Sequence, residues 1–168
     1  MVSSKAAQKV EPLADHAAMG FSGSVSGADY LTRTLRAELS LYETRRNTRM
    51  SPTAVASLVT NTLRENPVGV MPVVGVVGDA GHLYSYDGAG GMTEEPYAAV
   101  GSGMPYAFGY LESRYEPCLS VDDATTLAAE AVAVASERDT ASGNGLNLAV
   151  VTADGVERES RETLTVAG

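Results

Sequence analysis

The chain has no tryptophan, one cysteine, two lysines and no long apolar run, and each shortage excludes something. The single Cys118 cannot close an internal disulfide, which suits a reducing compartment and leaves the fold to stand on its core. A membrane helix needs roughly 18 consecutive apolar residues, and no run approaches that. Met1 to Val10 carry no apolar stretch behind basic residues, so a secretory signal is excluded and a soluble, cytoplasmic protein is expected. Lysine is confined to Lys5 and Lys9, against ten arginines and 21 acidic residues. The resulting net charge of −9 argues against nucleic acid and anionic membrane surfaces as partners, because both require a basic footprint. Acid excess with scarce lysine also suits a salt-rich cytosol. His16, His82 and Cys118 lack metal-ligand spacing, and no P-loop, dinucleotide fingerprint or G-x-S-x-G elbow occurs, so neither metal nor cofactor is expected.

What the chain does have is enough apolar material, 44% of 168 residues, for one substantial core, and a single domain over 1–168 is expected. Ala17 to Val25 reads as a short strand of small residues. Leu31, Leu35, Leu39 and Tyr42 recur at helical spacing from Asp29 to about Arg46, and Ser51-Pro52 starts a second helix that stops before Pro67. Arg45, Arg46 and Arg49 favour the end of the first helix through its dipole, or else a subunit contact. Val70 to Val77 reads as a fully buried strand, and the turns at Asp79-Ala80-Gly81 and Gly88 to Gly91 bracket another strand, making a meander. A helix from Ser102 to Tyr115 is followed by one capped at Ser120, whose Ala124, Leu127, Ala128, Ala131 and Ala135 form a small-residue face for close packing. Helices alternating with blocks of strands point to two packed sheets with helices outside.

The most telling stretch runs from Glu137-Arg138-Asp139-Thr140-Ala141-Ser142-Gly143-Asn144-Gly145 into Leu146-Asn147-Leu148-Ala149-Val150-Val151 and Asp154-Gly155: helix, glycine-rich turn, strand. It resembles the corresponding block of archaeal 20S proteasome β subunits, and the likeness extends upstream through most of the chain. The resemblance implies an α+β fold, the four-layer αββα sandwich of N-terminal nucleophile hydrolases. In that family the nucleophile is a threonine at the mature N-terminus, with its own α-amino group as proton acceptor, because a hydroxyl attacks only when a base of near-neutral pKa is in reach. No Thr-Thr-Thr-aliphatic-Gly block occurs here, so the likeness begins after the family's opening β-hairpin. Without those strands, ladder groups would go unpaired, and marginal stability of the isolated chain is expected.

Carried over position by position, the resemblance makes Lys9, not Lys5, the match for the lysine beside the threonine oxygen, where a cation stabilises a developing alkoxide. In Gly20-Phe21-Ser22-Gly23-Ser24-Val25 it puts Gly23 at the oxyanion-hole position and Phe21 and Val25 in the pocket for the residue preceding the cleaved bond. In Gly101-Ser102-Gly103 it marks Ser102, which with Asp139 and Ser142 would complete the polar cluster around the threonine amine. Each residue also has an ordinary explanation: Lys9 as a solvated charge, Gly23 as a tight strand-to-helix junction, Phe21 and Val25 as core, Ser102 as a helix cap, Asp139 as a helix-end charge, Ser142 as a turn former. The implied partners are other β subunits in seven-membered rings, α subunits, an unfolding ATPase and unfolded polypeptide. Two readings follow, a threonine endopeptidase subunit or a non-catalytic, structural or truncated β-type chain. A small-ligand α/β domain is a third, without a pocket signature to support it.

Overall fold

The computed structural model describes residues 8–139 and 145–161. Strands β1 (Val10–Ala14), β2 (Ala17–Gly23), β3 (Val70–Val77), β4 (Gly81–Tyr86) and β5 (Met92–Glu94) form one antiparallel sheet in chain order. Between β2 and β3 the chain makes two helices, α1 (Val25–Arg46) and α2 (Pro52–Glu65). They cover one face of that sheet. Met19 and Phe21 of β2, Val70, Val74 and Val76 of β3, Tyr84 and Tyr86 of β4, Leu31 and Leu35 of α1 and Val55 and Val59 of α2 form the main core. Burying a side chain of this size removes about 1.5–3 kcal/mol of unfavourable hydration, so this layer is where stability concentrates. Tyr86 joins it with a polar end satisfied, its hydroxyl donating to the Ala56 carbonyl at 3.0 Å, and burial pushes its pKa up.

Among the described residues the second sheet consists of β6 (Leu146–Thr152) and β7 (Gly155–Arg161), joined by the Asp154-Gly155 turn. β6 lies against β1, β2 and β3 on the face opposite the helices, and α4 (Val121–Arg138) packs on β6 from outside with α3 (Met104–Arg114) beside it. Leu111, Leu127, Ala131 and Ala135 form a smaller core there. The order helices, sheet, sheet, helices is the αββα layering expected from the sequence.

Several local expectations shift. The first helix begins at Val25, not Asp29, because Ser24 caps it, its Oγ accepting from the Gly27 amide at 3.1 Å, and the preceding strand therefore stops at Gly23. The second helix starts as expected, with Ser51 as cap and Pro52 in its first turn. β3 is not buried on both faces: Val70, Pro72, Val74 and Val76 are buried, whereas the alternate residues are only partly covered and Met71 is 41% exposed. Opposite the helices this strand meets a sheet of two strands, too narrow to cover it. On α4 Leu127, Ala131, Ala133 and Ala135 are buried, while Ala124 and Ala128, nearer its N-terminal end, are exposed. Among the described residues no helix is long and apolar enough to cross a membrane.

Candidate active site

β2 sorts its side chains by alternation. Ala17, Met19 and Phe21 enter the main core, and Ala18, Gly20 and Ser22 take the opposite face, toward the second sheet. At its end Gly23 adopts φ +105°, and a Cβ there would lie 2.3 Å from the Gly69 carbonyl oxygen, so only glycine fits. The next amide, of Ser24, donates to that same Gly69 oxygen at 3.0 Å. This pins the strand-to-helix junction and holds Gly23 exposed at the top of the strand, with Val25 (49% exposed) opening the first turn of α1. Phe21 is only 7% exposed, held in the core beneath that junction.

Lys9 is exposed and immediately precedes β1; its carbonyl accepts from the Phe21 amide at 3.1 Å, which fixes its backbone beside the strand that leads to Gly23. From the other side of the molecule come Ser102 and Asp139. Ser102 is not the cap of α3, a place taken by Gly103, which makes no side-chain cap bond. Its Oγ instead donates to the Asp139 carboxylate, 37 residues away in sequence. Asp139 is the last capping residue of α4, its amide donating to the Ala135 carbonyl at 2.8 Å. The carboxylate is thus held by a helix end, and an exposed hydroxyl is held by the carboxylate.

Gly101 joins the two groups. It takes φ +107°, and a Cβ on it would lie 3.3 Å from the Cβ of Ser22, so the segment carrying Ser102 rests directly on the β2 residue that precedes Gly23. The contacts run from Lys9 through Phe21, Ser22 and Gly101 to Ser102 and Asp139. Ser142 lies outside the described residues. Sequence reasoning passed over Ser22, although strand alternation put it with Ala18 and Gly20 and not with the core residues. It also passed over Gly69, which nothing in the sequence links to Gly23. Among the described residues no group of three His, Cys, Asp or Glu side chains is placed to hold a metal ion.

A cleft of about 610 Å³ opens elsewhere, between β3–β4 and β6, lined by Gly75, Leu83, Glu94, Tyr115, Ala149 and Val151. None of the site residues lines it. A partly exposed His82 beside it has Nδ1 2.6 Å from Glu94, a pair made across the β4–β5 ladder.

A family model described as proteasome subunit matches residues 1–151. The chain belongs to the proteasome subunit family. It is similar to the proteasome subunit beta of Halorubrum lacusprofundi, 52% identical over 159 residues, which cover 94% of this chain and 65% of that protein. It is 49% identical to the proteasome subunit beta of Halorhabdus utahensis over 168 residues, covering 99% of this chain and 72% of the relative. With the proteasome subunit beta of Haloferax volcanii the identity is 49% over 159 residues, covering 94% and 65%. The chain therefore spans about two thirds of the length of these β-type proteasome relatives, and under two thirds of two of them. These organisms accord with the salt-rich cytosol that the charge balance suggested. As a proteasome subunit the chain has the fold that the sequence motifs implied, helices outside two stacked antiparallel sheets.

Proposed function

We propose that this chain is a β-type subunit of a proteasome core particle, and that its described residues form the accessory part of a threonine-endopeptidase site acting on unfolded polypeptide. The observation that carries the reading is the Ser102–Asp139 hydrogen bond, seated through Gly101 on the strand that ends at Gly23. Peptide hydrolysis needs a nucleophile, a proton acceptor and a donor for the tetrahedral oxyanion. Gly23, which a side chain would push off the Gly69 carbonyl, suits a backbone that a substrate carbonyl must approach. Lys9 would supply the cation beside the attacking oxygen. Ser102, Asp139 and Ser142 would orient the amine and carry its proton. Val25 and the rim of Phe21 would favour an apolar side chain before the cleaved bond. No metal or cofactor has a part in this chemistry.

The nucleophile is the part these residues do not supply, since the Thr-Thr-Thr-aliphatic-Gly block is not in the sequence. A second reading is a structural β-type subunit that joins the rings without cleaving. In either case the partners would be further β subunits and α subunits in stacked seven-membered rings, served by an unfolding ATPase in the cytoplasm.

The deciding experiment is terminal sequencing and intact mass of the native chain, with hydrolysis of a fluorogenic peptide by the purified particle. A mature chain opening with threonine in a particle that cleaves the peptide supports the peptidase. If such a particle leaves the peptide intact, the peptidase reading fails; a native chain that opens at Met1 or Val2 selects the structural one.

A further inference from the structure

Ser22 is the one polar side chain on its face of β2, between the core residue Phe21 and the constrained Gly23. Its Oγ is inaccessible to solvent and has no hydrogen-bond partner among the described residues. A buried hydroxyl left in that condition costs stability, whereas alanine would fill the same strand position without the cost. The Ser22 side chain lies against the Gly101 segment: a Cβ on Gly101 would lie 3.3 Å from the Ser22 Cβ and 3.9 Å from its Oγ. The next residue is Ser102, whose hydroxyl is bound to Asp139. We propose that Ser22 is a positioning residue of the candidate site, seating Gly101 so that Ser102 meets Asp139 and keeping a hydroxyl in the floor of the site for its polar network.

The catalytic meaning of this assignment rests on the peptidase reading, but the seating itself is independent of it and can be read on the Ser102–Asp139 pair. Side-chain carboxyl ¹³C NMR of Asp139 in the full chain is the probe, with Ser102→Ala defining the displacement caused by loss of the hydrogen bond. Ser22→Ala should move the Asp139 resonance by about half of that displacement or more, since Ser102, bound to Asp139, is carried by the segment that rests on Ser22. The thermal midpoint of Ser22→Ala should rise, since the unpartnered hydroxyl is removed. Ser22→Cys, which keeps the size and a weak donor, should bring the resonance back toward wild type. In assembled particles Ser22→Ala should lower kcat about tenfold with KM unchanged, the pattern of a misplaced network and not of lost binding.

An Asp139 resonance that stays at its wild-type position in Ser22→Ala overturns the proposal and makes Ser22 a buried filler whose hydroxyl is a burden. Should Ser22→Ala fail to fold, Gly101→Ala, which sets a Cβ 3.3 Å from that of Ser22, perturbs the same contact and should move the Asp139 resonance likewise; an unmoved resonance there overturns the proposal. A wild-type particle that cleaves nothing defeats the peptidase reading alone; the Asp139 displacement then still decides whether Ser22 seats the pair.

Discussion

β3 and β6 are aliphatic strands of similar length, Val-Met-Pro-Val-Val-Gly-Val-Val and Leu-Asn-Leu-Ala-Val-Val-Thr, and they meet different fates. β3 pairs on both sides, with β2 and β4, and buries one complete face under α1 and α2. Among the described residues β6 pairs with β7 alone, and after the buried Leu146 every one of its residues is half covered. The space alongside it is the cleft bounded by Gly75, Leu83 and Val151. Apolar composition drives a strand to seek cover, but the cover comes from neighbours, and among the described residues β6 has fewer of them than β3. The candidate site draws on the firm sheet for Lys9 and Gly23 and on the helices over the thin sheet for Ser102 and Asp139.

The contrast predicts unequal responses to equal damage. Met19→Ala, in the fully covered sheet, should cost about 2–5 kcal/mol in urea denaturation, as deletions of buried methylenes do. Gly23→Ala adds a Cβ against the Gly69 oxygen at a positive φ, and about 1–3 kcal/mol of stability should be lost with displacement of the Ser24 amide from that oxygen; a wild-type Ser24 amide resonance in this variant would defeat the prediction. Val150→Ala in β6 should cost under about 1 kcal/mol, because half-covered methyl groups have less burial to lose. Hydrogen exchange should agree, with β3 amides opening only on global unfolding and β6 amides opening earlier. Equal protection of the two strands would erase the comparison.

The smallest expected effect is at the β4–β5 turn. The amides of Gly91 and Ala89 donate to the Asp87 carboxylate at 2.8 and 2.9 Å and hold its pKa below the usual carboxylate range. A depressed folded pKa contributes stability that is present above the unfolded value and is lost as pH falls through the folded one. Acidification below the usual carboxylate range should therefore shift the Ala89 and Gly91 amide resonances together while the β3 amides stay in place. If those two amides stay put throughout the titration, the turn is not held by Asp87.

Much of the architecture was legible because it depends on local chemistry. Ser51-Pro52 and Ser120 announce helix starts through caps that act within one turn, and Asp154-Gly155 announces a hairpin through its backbone preference. The β3 and α4 faces were misjudged, since Met71, Ala124 and Ala128 are apolar or small yet stay exposed, while Ala133, outside the expected face, is buried. Within the site, motif order singled out Lys9, Gly23, Ser102 and Asp139. It could not show that Ser102 gives its hydroxyl to Asp139 instead of capping α3, because that choice depends on where the end of α4 falls relative to the start of α3.

By itself, then, the sequence determined the acidic charge balance, the helix caps, the run of aliphatic strands and the family motifs, all properties of residues and their near neighbours. The tertiary structure decided which aliphatic strand is covered, why Gly23 must face the Gly69 carbonyl and why Ser22 lies beneath Gly101. Those are contacts between segments that only packing brings within a few ångströms of each other.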